Sequence, residues 1–342
     1  MSGAGDMQEV AELDRARGNG RAAAAAARFR SQSWAGLLIA ILAVGAAFTI
    51  ATPYFLNAGN FANLSRAVGF TGVVAAVTTI VLISGGVDLS IASMMALAGV
   101  TLGLMIEASV PWPVALVGAL AVGAAGGAFN GLIVTRTGIN ALIATVATGF
   151  MYRGLAFVTT GSFPVPVRES AITWLGTGSV GIPVPAVLMF MVFVWVAFLL
   201  NRTRFGLHVQ AIGGSPGGSM ARLAGVPVIR RKMQIYVASG IVSALGGVLL
   251  VGYTSLGDPG AAFGQELPII GAVIVGGTSL GGGRGSVFGT FLGVVLIGAI
   301  LNGLTLVGVS ADWQYVVQGL VLLLAVLLDE YRSRKERTEA GI

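Results

Sequence analysis

The sequence predicts an all-α membrane protein, a polytopic bundle of about ten transmembrane helices, some short or broken, with both termini cytoplasmic. Three observations carry that expectation. Residues of the set AVILMFWYC make up 55% of the 342 positions, Gly supplies 52 more, and charged residues are only 10%, for a mean hydropathy of +0.88. A water-soluble chain carries about 25% charged residues, so a soluble enzyme is excluded. Second, the 34 charged residues crowd the ends: nine lie in residues 1–33 and eight in 329–342, leaving 17 for the 295 between. Third, the Lys and Arg of the interior fall in alternate connections.

The elements follow in order. Residues 1–33 are polar and then Ala/Arg-rich, and read as a cytoplasmic tail without fixed structure. The charged leader is too long for a signal peptide and the apolar run after it can span, so the first helix is expected to stay uncleaved. Spans are expected near 34–52, 66–84, 90–106, 113–134, 140–160, 183–200, 233–253, 267–280, 286–307 and 312–328. A helix needs about 20 apolar residues to cross ~30 Å of hydrocarbon. Runs such as VGALAVGAAGGAF lack the alternation of membrane β-strands. The membrane domain is thus 34–328, and 329–342 is a second cytoplasmic tail.

With the N-terminus inside, the inner segments hold 17 of the 20 Lys and Arg: five in the leader, Arg136, six in 201–232, Arg284 and four in the C-terminal tail. The outer loops keep Arg66 and Arg168, and Arg153 falls within a span. The positive-inside rule then requires an even number of spans.

The outer loop 161–182 contains Pro164 and Pro166 and reads as extended or re-entrant. The inner loop 201–232 is the one large polar feature. Within it, 219–225 reads as a short helix capped by Ser219, with Ala221, Leu223 and Ala224 as an apolar face and Arg222 in water. The apolar run 267–280 is short and ends in Gly281–Gly283, as a half-length helix beside a transport path would. Two short echoes recur: GGVDL (85–89) with GGTSL (276–280), and FNGL (129–132) with LNGL (301–304). The many intramembrane glycines suit close helix packing.

Cysteine is absent, which removes disulfides and thiolate chemistry, and the single His208 makes no metal cluster. Neither Lys232 nor Lys335 completes a GK[ST] phosphate loop, so no ATP site is expected in this chain. No nucleophile–base pair points to an enzyme, and nothing points to nucleic acid. The polar residues singled out for a path or gate are Asp88, Ser90, Asn130, Asn140 and Arg153. Asp88 either caps the following helix or gates. Arg153 either snorkels or pairs with a backbone carbonyl, or else serves the path.

At these residues the chain resembles the permease subunits of bacterial ABC importers of the ribose/xylose/galactose type. GGVDLSIASMMALAG is similar to that family's GG[IV]DLSxGSxxALAG signature. The likeness continues through FNGLIVTRTGINALIATVATGFMYRGLAFVTTG, RTRFGLHVQAIGG, ARLAGV and DWQYVVQGLVLLLAVLLD, about residues 34–330 in all. It implies a homodimer, a cytoplasmic ATPase subunit with two nucleotide-binding domains that uses ATP and Mg, and a periplasmic or lipid-anchored sugar-binding protein. It implies also that residues 211–225 touch the ATPase, with Gly213, Ser215, Ser219, Ala221, Arg222 and Gly225 as the coupling residues. The family commonly reads AIGGNxxAAxxSG where this chain has AIGGSPGGSMARLAG, so Asn is replaced by Ser215 in a longer, Gly-rich turn. A related branch imports branched-chain amino acids, and GGVDLS argues for the sugar branch. A self-sufficient secondary transporter is the rival class. Such proteins place ionisable groups mid-membrane, whereas here nearly all of them lie at span ends.

Overall fold

The computed structural model describes residues 33–339, so the expected N-terminal tail lies almost wholly outside the described residues. Ten apolar helices coincide with the ten expected spans: α1 (Ser33–Ala51), α2 (Ala58–Ile83), α3 (Ile91–Glu107), α4 (Trp112–Arg136), α5 (Ala141–Thr160), α7 (Val184–Arg202), α10 (Val228–Thr254), α11 (Glu266–Val275), α12 (Val287–Leu306) and α13 (Ala311–Glu339). Seven of them are long and apolar enough to cross a membrane, and α3, α11 and the apolar part of α13 are shorter. At 1.5 Å per residue the ten residues of α11 reach only about 15 Å, half the hydrocarbon thickness. α13 runs on unbroken past 328 to Glu339.

The connections hold more structure than their composition suggests. The outer loop 161–182 carries a two-residue strand, β1 (Val165–Pro166), and a helix, α6 (Ser170–Thr177). β1 pairs antiparallel with β2 (Leu256–Gly257), Val165 opposite Gly257. The inner loop is mostly helical: α8 (Arg204–Gly213), a 3-10 turn at Pro216–Gly218, and α9 (Ser219–Leu223). α8 forms because Phe205, Val209 and Ile212 recur at helical spacing and turn inward together, Val209 and Ile212 fully buried.

α2 and α10 form the centre, and the sequence makes them suited to it. From Val73 to Ile83 every residue of α2 is buried, because small and β-branched side chains occupy its whole circumference. α10 packs on α2, α3, α4 and α6. It meets α4 where Gly123 and Gly127 oppose Gly240 and the Tyr236 carbonyl, and a Cβ on any of these glycines would collide with facing backbone. Without a hydrophobic driving force between helices in lipid, such close backbone contact supplies the association. Polar pairs pin the same bundle: Thr79 donates to Thr290 at 2.9 Å, and the Asn60 and Asn302 amides exchange two hydrogen bonds at 2.9 and 2.8 Å.

Both echoed Gly-Gly pairs stop helices in the same way. Gly85 (φ +71°) ends α2, its N–H donating to Leu82 O and that of Gly86 to Val81 O. Gly277 (φ +89°) ends α11, with N–H bonds from Gly277 to Ile274 O and from Thr278 to Val273 O. Each is a left-handed stop that satisfies the last carbonyls. The structural match is Gly85 with Gly277, one residue out of register with the echo in the sequence.

Candidate functional site

The α2 stop delivers the chain into a seven-residue break, 84–90, packed among α4, α5 and α10. Asp88 is 2% exposed, and its carboxylate is the end point of a directed chain of hydrogen bonds. Tyr152 Oη of α5 donates to Asn130 Oδ1 at 2.9 Å, and Asn130 Nδ2 of α4 donates to Ser90 Oγ at 2.8 Å. Ser90 Oγ then donates to Asp88 Oδ1 at 2.6 Å, beside the Ser90 N–H at 3.0 Å. Ser239 Oγ of α10 donates to Asp88 Oδ2 at 2.7 Å. Around the carboxylate, Thr145 Oγ1 accepts from Leu89 N–H and Tyr236 Oη donates to Val87 O. Asp88 therefore binds the first turn of α3 through Ser90 and also ties that turn to α10, while Asn130 extends the tie to α4 and α5. A buried carboxylate with its acceptors filled by donors from separate elements fixes their relative positions.

Asp88, Ser90 and Asn130 are thus brought together, and Asn140 and Arg153 lie elsewhere. Asn140 sits at the head of α5, exposed, its Oδ1 accepting from Leu142 N–H at 2.8 Å as an N-cap. Arg153 holds the outer segment after β2: its Nη1 donates to Pro259 O and Ala261 O, both at 2.7 Å, and its guanidinium stands 5.9 Å from the Phe263 ring centroid.

A cavity of about 430 Å³ is walled by α2, α3, α10, α11 and α12 and reaches Met95 in the second turn of α3. Ligand pockets commonly enclose about 300–1,000 Å³. Its polar groups are Asn63, Thr71, Tyr253, Gln265, Asn302 and Thr305, and among the described residues no Asp, Glu, Lys, Arg or His lines it. Asn302 spends one Nδ2 hydrogen and its Oδ1 on Asn60, which leaves a second hydrogen to offer. The half-length α11 contributes Pro268, Ile269 and Ala272 to the wall, and its N-cap residue Gln265 joins them. From Ala76 to Ile83 α2 is fully buried, so the cavity ends short of the break.

The inner-loop residues divide into two sets. Ala221 is 3% exposed and packs on Ile212, Val226 and Val228. Leu223 is 85% exposed and Met220 68%. This corrects the expected apolar face: Ala221 turns inward, and Met220, Leu223 and Ala224, at i, i+3 and i+4, face solvent. Ser219 does not cap α9, whose N-cap is Gly218 (φ +73°) without a side-chain bond. Gly225 (φ +79°) stops the helix, with Gly225 N–H to Arg222 O and Val226 N–H to Ala221 O, and Arg222 is exposed. Ser215 Oγ is buried without a partner among the described residues.

Gly213 does not reach that outer surface. It ends α8 against the end of α2 and the loop after α11: a Cβ at Gly213 would strike Ile83 O, and Gly283 N–H donates to the same carbonyl at 2.8 Å. A Cβ at Gly282 would come 2.8 Å from Gly85 Cα, and one at Gly283 2.9 Å from Gly214 Cα. Three backbone segments thus touch with no side chains between them, five residues from Asp88. Among the described residues, no group of three or more His, Asp or Glu is placed to hold a metal ion.

Helices long and apolar enough to cross lipid, a half-length helix beside a polar-walled cavity, and a connection, 201–232, folded onto the helix ends are the architecture of a membrane transport component. The family model described as branched-chain amino acid transport system / permease component matches residues 60–326, and the chain belongs to that permease family. The chain is 37% identical over 337 residues to the L-arabinose ABC transporter permease protein of Azospirillum brasilense, covering 97% of this chain and 99% of the relative. It is 40% identical over 308 residues to the ribose import permease protein of Bacillus subtilis strain 168 (87% and 92%). Against the L-arabinose transport system permease protein of Escherichia coli K12 it is 36% identical over 312 residues (89% and 92%). No solved structure matches the chain. As a permease it is a multi-pass protein of the bacterial inner membrane, the transporter's membrane component and not its ATPase.

Proposed function

We propose that the chain carries a neutral monosaccharide across the inner membrane by alternating access, as one of two identical permeases driven by a separate ATPase. A periplasmic or lipid-anchored binding protein delivers the sugar, and ATP and Mg are used by the ATPase subunit. The observation that carries the reading is the cavity wall, which among the described residues offers amides and hydroxyls and no carboxylate, amine, guanidinium or imidazole. Hydroxyl-rich, uncharged ligands suit such a wall. An amino acid carries two charges that need fixed partners, so the wall disfavours the branched-chain substrate in the family description. The named relatives carry arabinose and ribose.

Replacing Gln265 with Leu or Thr305 with Val removes a hydrogen-bonding group from the wall with little change in volume and leaves the Asn60–Asn302 pair intact. Uptake of labelled pentoses and hexoses is expected to fall about tenfold or more, since a site built to pair a hydroxyl loses ~1–3 kcal/mol when left unpaired. Association with the ATPase should persist. Unchanged uptake in both variants sinks the assignment of this cavity.

Orientation is testable because Cys is absent. A Cys at Val180, 62% exposed, is expected to react with an impermeant thiol reagent from outside cells with a permeabilised outer membrane. One at the exposed Ala224 should react only after lysis. The reverse pattern overturns the cytoplasmic placement of both termini and of the inner loop.

The glycine contact supports a route from the docking loop to the break. In Gly213→Ala the added methyl must displace Ile83 O or the Gly283 backbone, and neither is a flexible side chain. ATPase binding is expected to persist while uptake falls at least tenfold, measured as co-purification and transport on one preparation. Full uptake in that variant shows that the contact is only packing.

A further inference from the structure

We infer that the inner end of the bundle carries a binding site for an anionic phospholipid, with Arg231 as its phosphate contact. A groove of about 290 Å³ runs between α2, α7, α8 and α10, and Val77, Ile80, Trp195, Leu199, Phe205 and Ala238 form its apolar walls. Arg231 and Gln234, in the second turn of α10, stand on the same groove. Ala238 lies seven residues, about 10 Å at 1.5 Å per residue, further along α10. One end of the groove is therefore cationic and the rest is hydrocarbon, the profile of one lipid molecule seated at the membrane surface.

Arg231 is held in place and only partly used. Its Nε donates to His208 Nδ1 at 3.0 Å, one Nη donates to Gln234 Oε1 at 2.9 Å, and its guanidinium lies 5.7 Å from the Phe205 ring centroid. Of five guanidinium hydrogens, three remain for another acceptor. Among the described residues no carboxylate pairs with Arg231, and residues 200–232 contain six Lys and Arg and no Asp or Glu. The local field thus favours an anionic partner over a zwitterionic one. Basic pockets between helices on the cytoplasmic side bind anionic headgroups, and a planar guanidinium pairs with phosphate through two parallel hydrogen bonds. Trp195, 47% exposed on the groove, is of the residue type enriched at the membrane–water boundary.

The site rests on the proposed orientation and is independent of the substrate, so its test is lipid binding and not transport. Detergent-purified full-length protein is titrated with phosphatidylglycerol or phosphatidylcholine of identical acyl chains, and bound lipid is counted by native mass spectrometry. Wild type is expected to favour phosphatidylglycerol about fivefold or more, the scale of one cation near an anionic surface. Arg231→Lys should keep part of that preference and Arg231→Gln should lose it. Ala238→Phe fills the apolar wall with Arg231 intact and is expected to lower lipid occupancy. Equal retention of the two lipids by wild type, a preference surviving in Arg231→Gln, or undiminished lipid occupancy in Ala238→Phe overturns the proposal. A disulfide between copies carrying Trp195→Cys would overturn it too, by showing that a second permease covers the groove.

Discussion

Replacing Asp88 with Ala is expected to destabilise the membrane domain by on the order of 3–5 kcal/mol and to abolish uptake. The magnitude follows from what the carboxylate holds. It accepts from Ser90 N–H, Ser90 Oγ and Ser239 Oγ while 2% exposed. Hydrogen bonds to a charged group contribute ~1.5–3 kcal/mol each, and a buried donor left without a partner adds its own penalty. The losses do not sum fully, because the donors share one network. Asp88→Asn separates shape from charge. Its carbonyl can still accept from Ser90, and its amide can donate to a reoriented Ser239 hydroxyl, so the expected loss is about 1–2 kcal/mol. Unfolding of detergent-purified variants, followed by tryptophan fluorescence against dodecyl sulfate, measures the order wild type, Asn, Ala. An Ala variant as stable as wild type would falsify the claim that this carboxylate ties α3 to α10.

The ten helices are legible in the sequence because lipid imposes one demand on each, an apolar run with its polar backbone satisfied internally. That demand acts locally, so a single chain displays it. α2 was harder to delimit: it begins at Ala58, eight residues before the expected start, because Asn57 caps it, its Oδ1 accepting from Gly59 N–H at 2.8 Å. α8 was legible in principle, since Phe205, Val209 and Ile212 have helical spacing, but its charges suggest a solvated loop. The cavity was not legible. Asn63, Gln265 and Asn302 stand apart in the chain, and only the folded bundle puts them on one wall. One signal did exist. The echo of FNGL and LNGL marks Asn130 and Asn302, each an amide within an apolar helix and each bonded across to a neighbour. An Asn in lipid without such a partner would be costly, so both were equal candidates on physical grounds. Arg153 and Asn140 show the converse: rare polar residues whose hydrogen bonds go to a loop backbone and a helix end.

Aspartate at both Met220 and Leu223 is expected to weaken ATPase association at least a hundredfold while leaving the permease folded. Neither side chain has a packing role to lose, at 68% and 85% exposed. They share one face of α9 with Ala224, three apolar positions turned to solvent beside the basic end of the bundle. Fully burying a Leu or Met side chain is worth ~1.5–3 kcal/mol. Losing two is thus on the order of 3–6 kcal/mol, which exceeds the ~2.8 kcal/mol of a hundredfold change. An unpaired carboxylate forced into an apolar cleft adds to the loss. Ala221 makes the contrasting probe. It is 3% exposed against Ile212, Val226 and Val228, so Ala221→Trp overpacks the turn itself, at a cost of ~1–3 kcal/mol, and distorts the loop before any partner is met. The two classes of variant therefore part in a single preparation. Met220→Asp/Leu223→Asp should show wild-type unfolding and lost co-purification of the tagged ATPase, whereas Ala221→Trp should lose both. If the double aspartate variant retains the ATPase and supports uptake, the exposed face of α9 is solvated in the assembled transporter. The drive would then have to enter through another surface, leaving the glycine contact at Gly213 without an input from this helix.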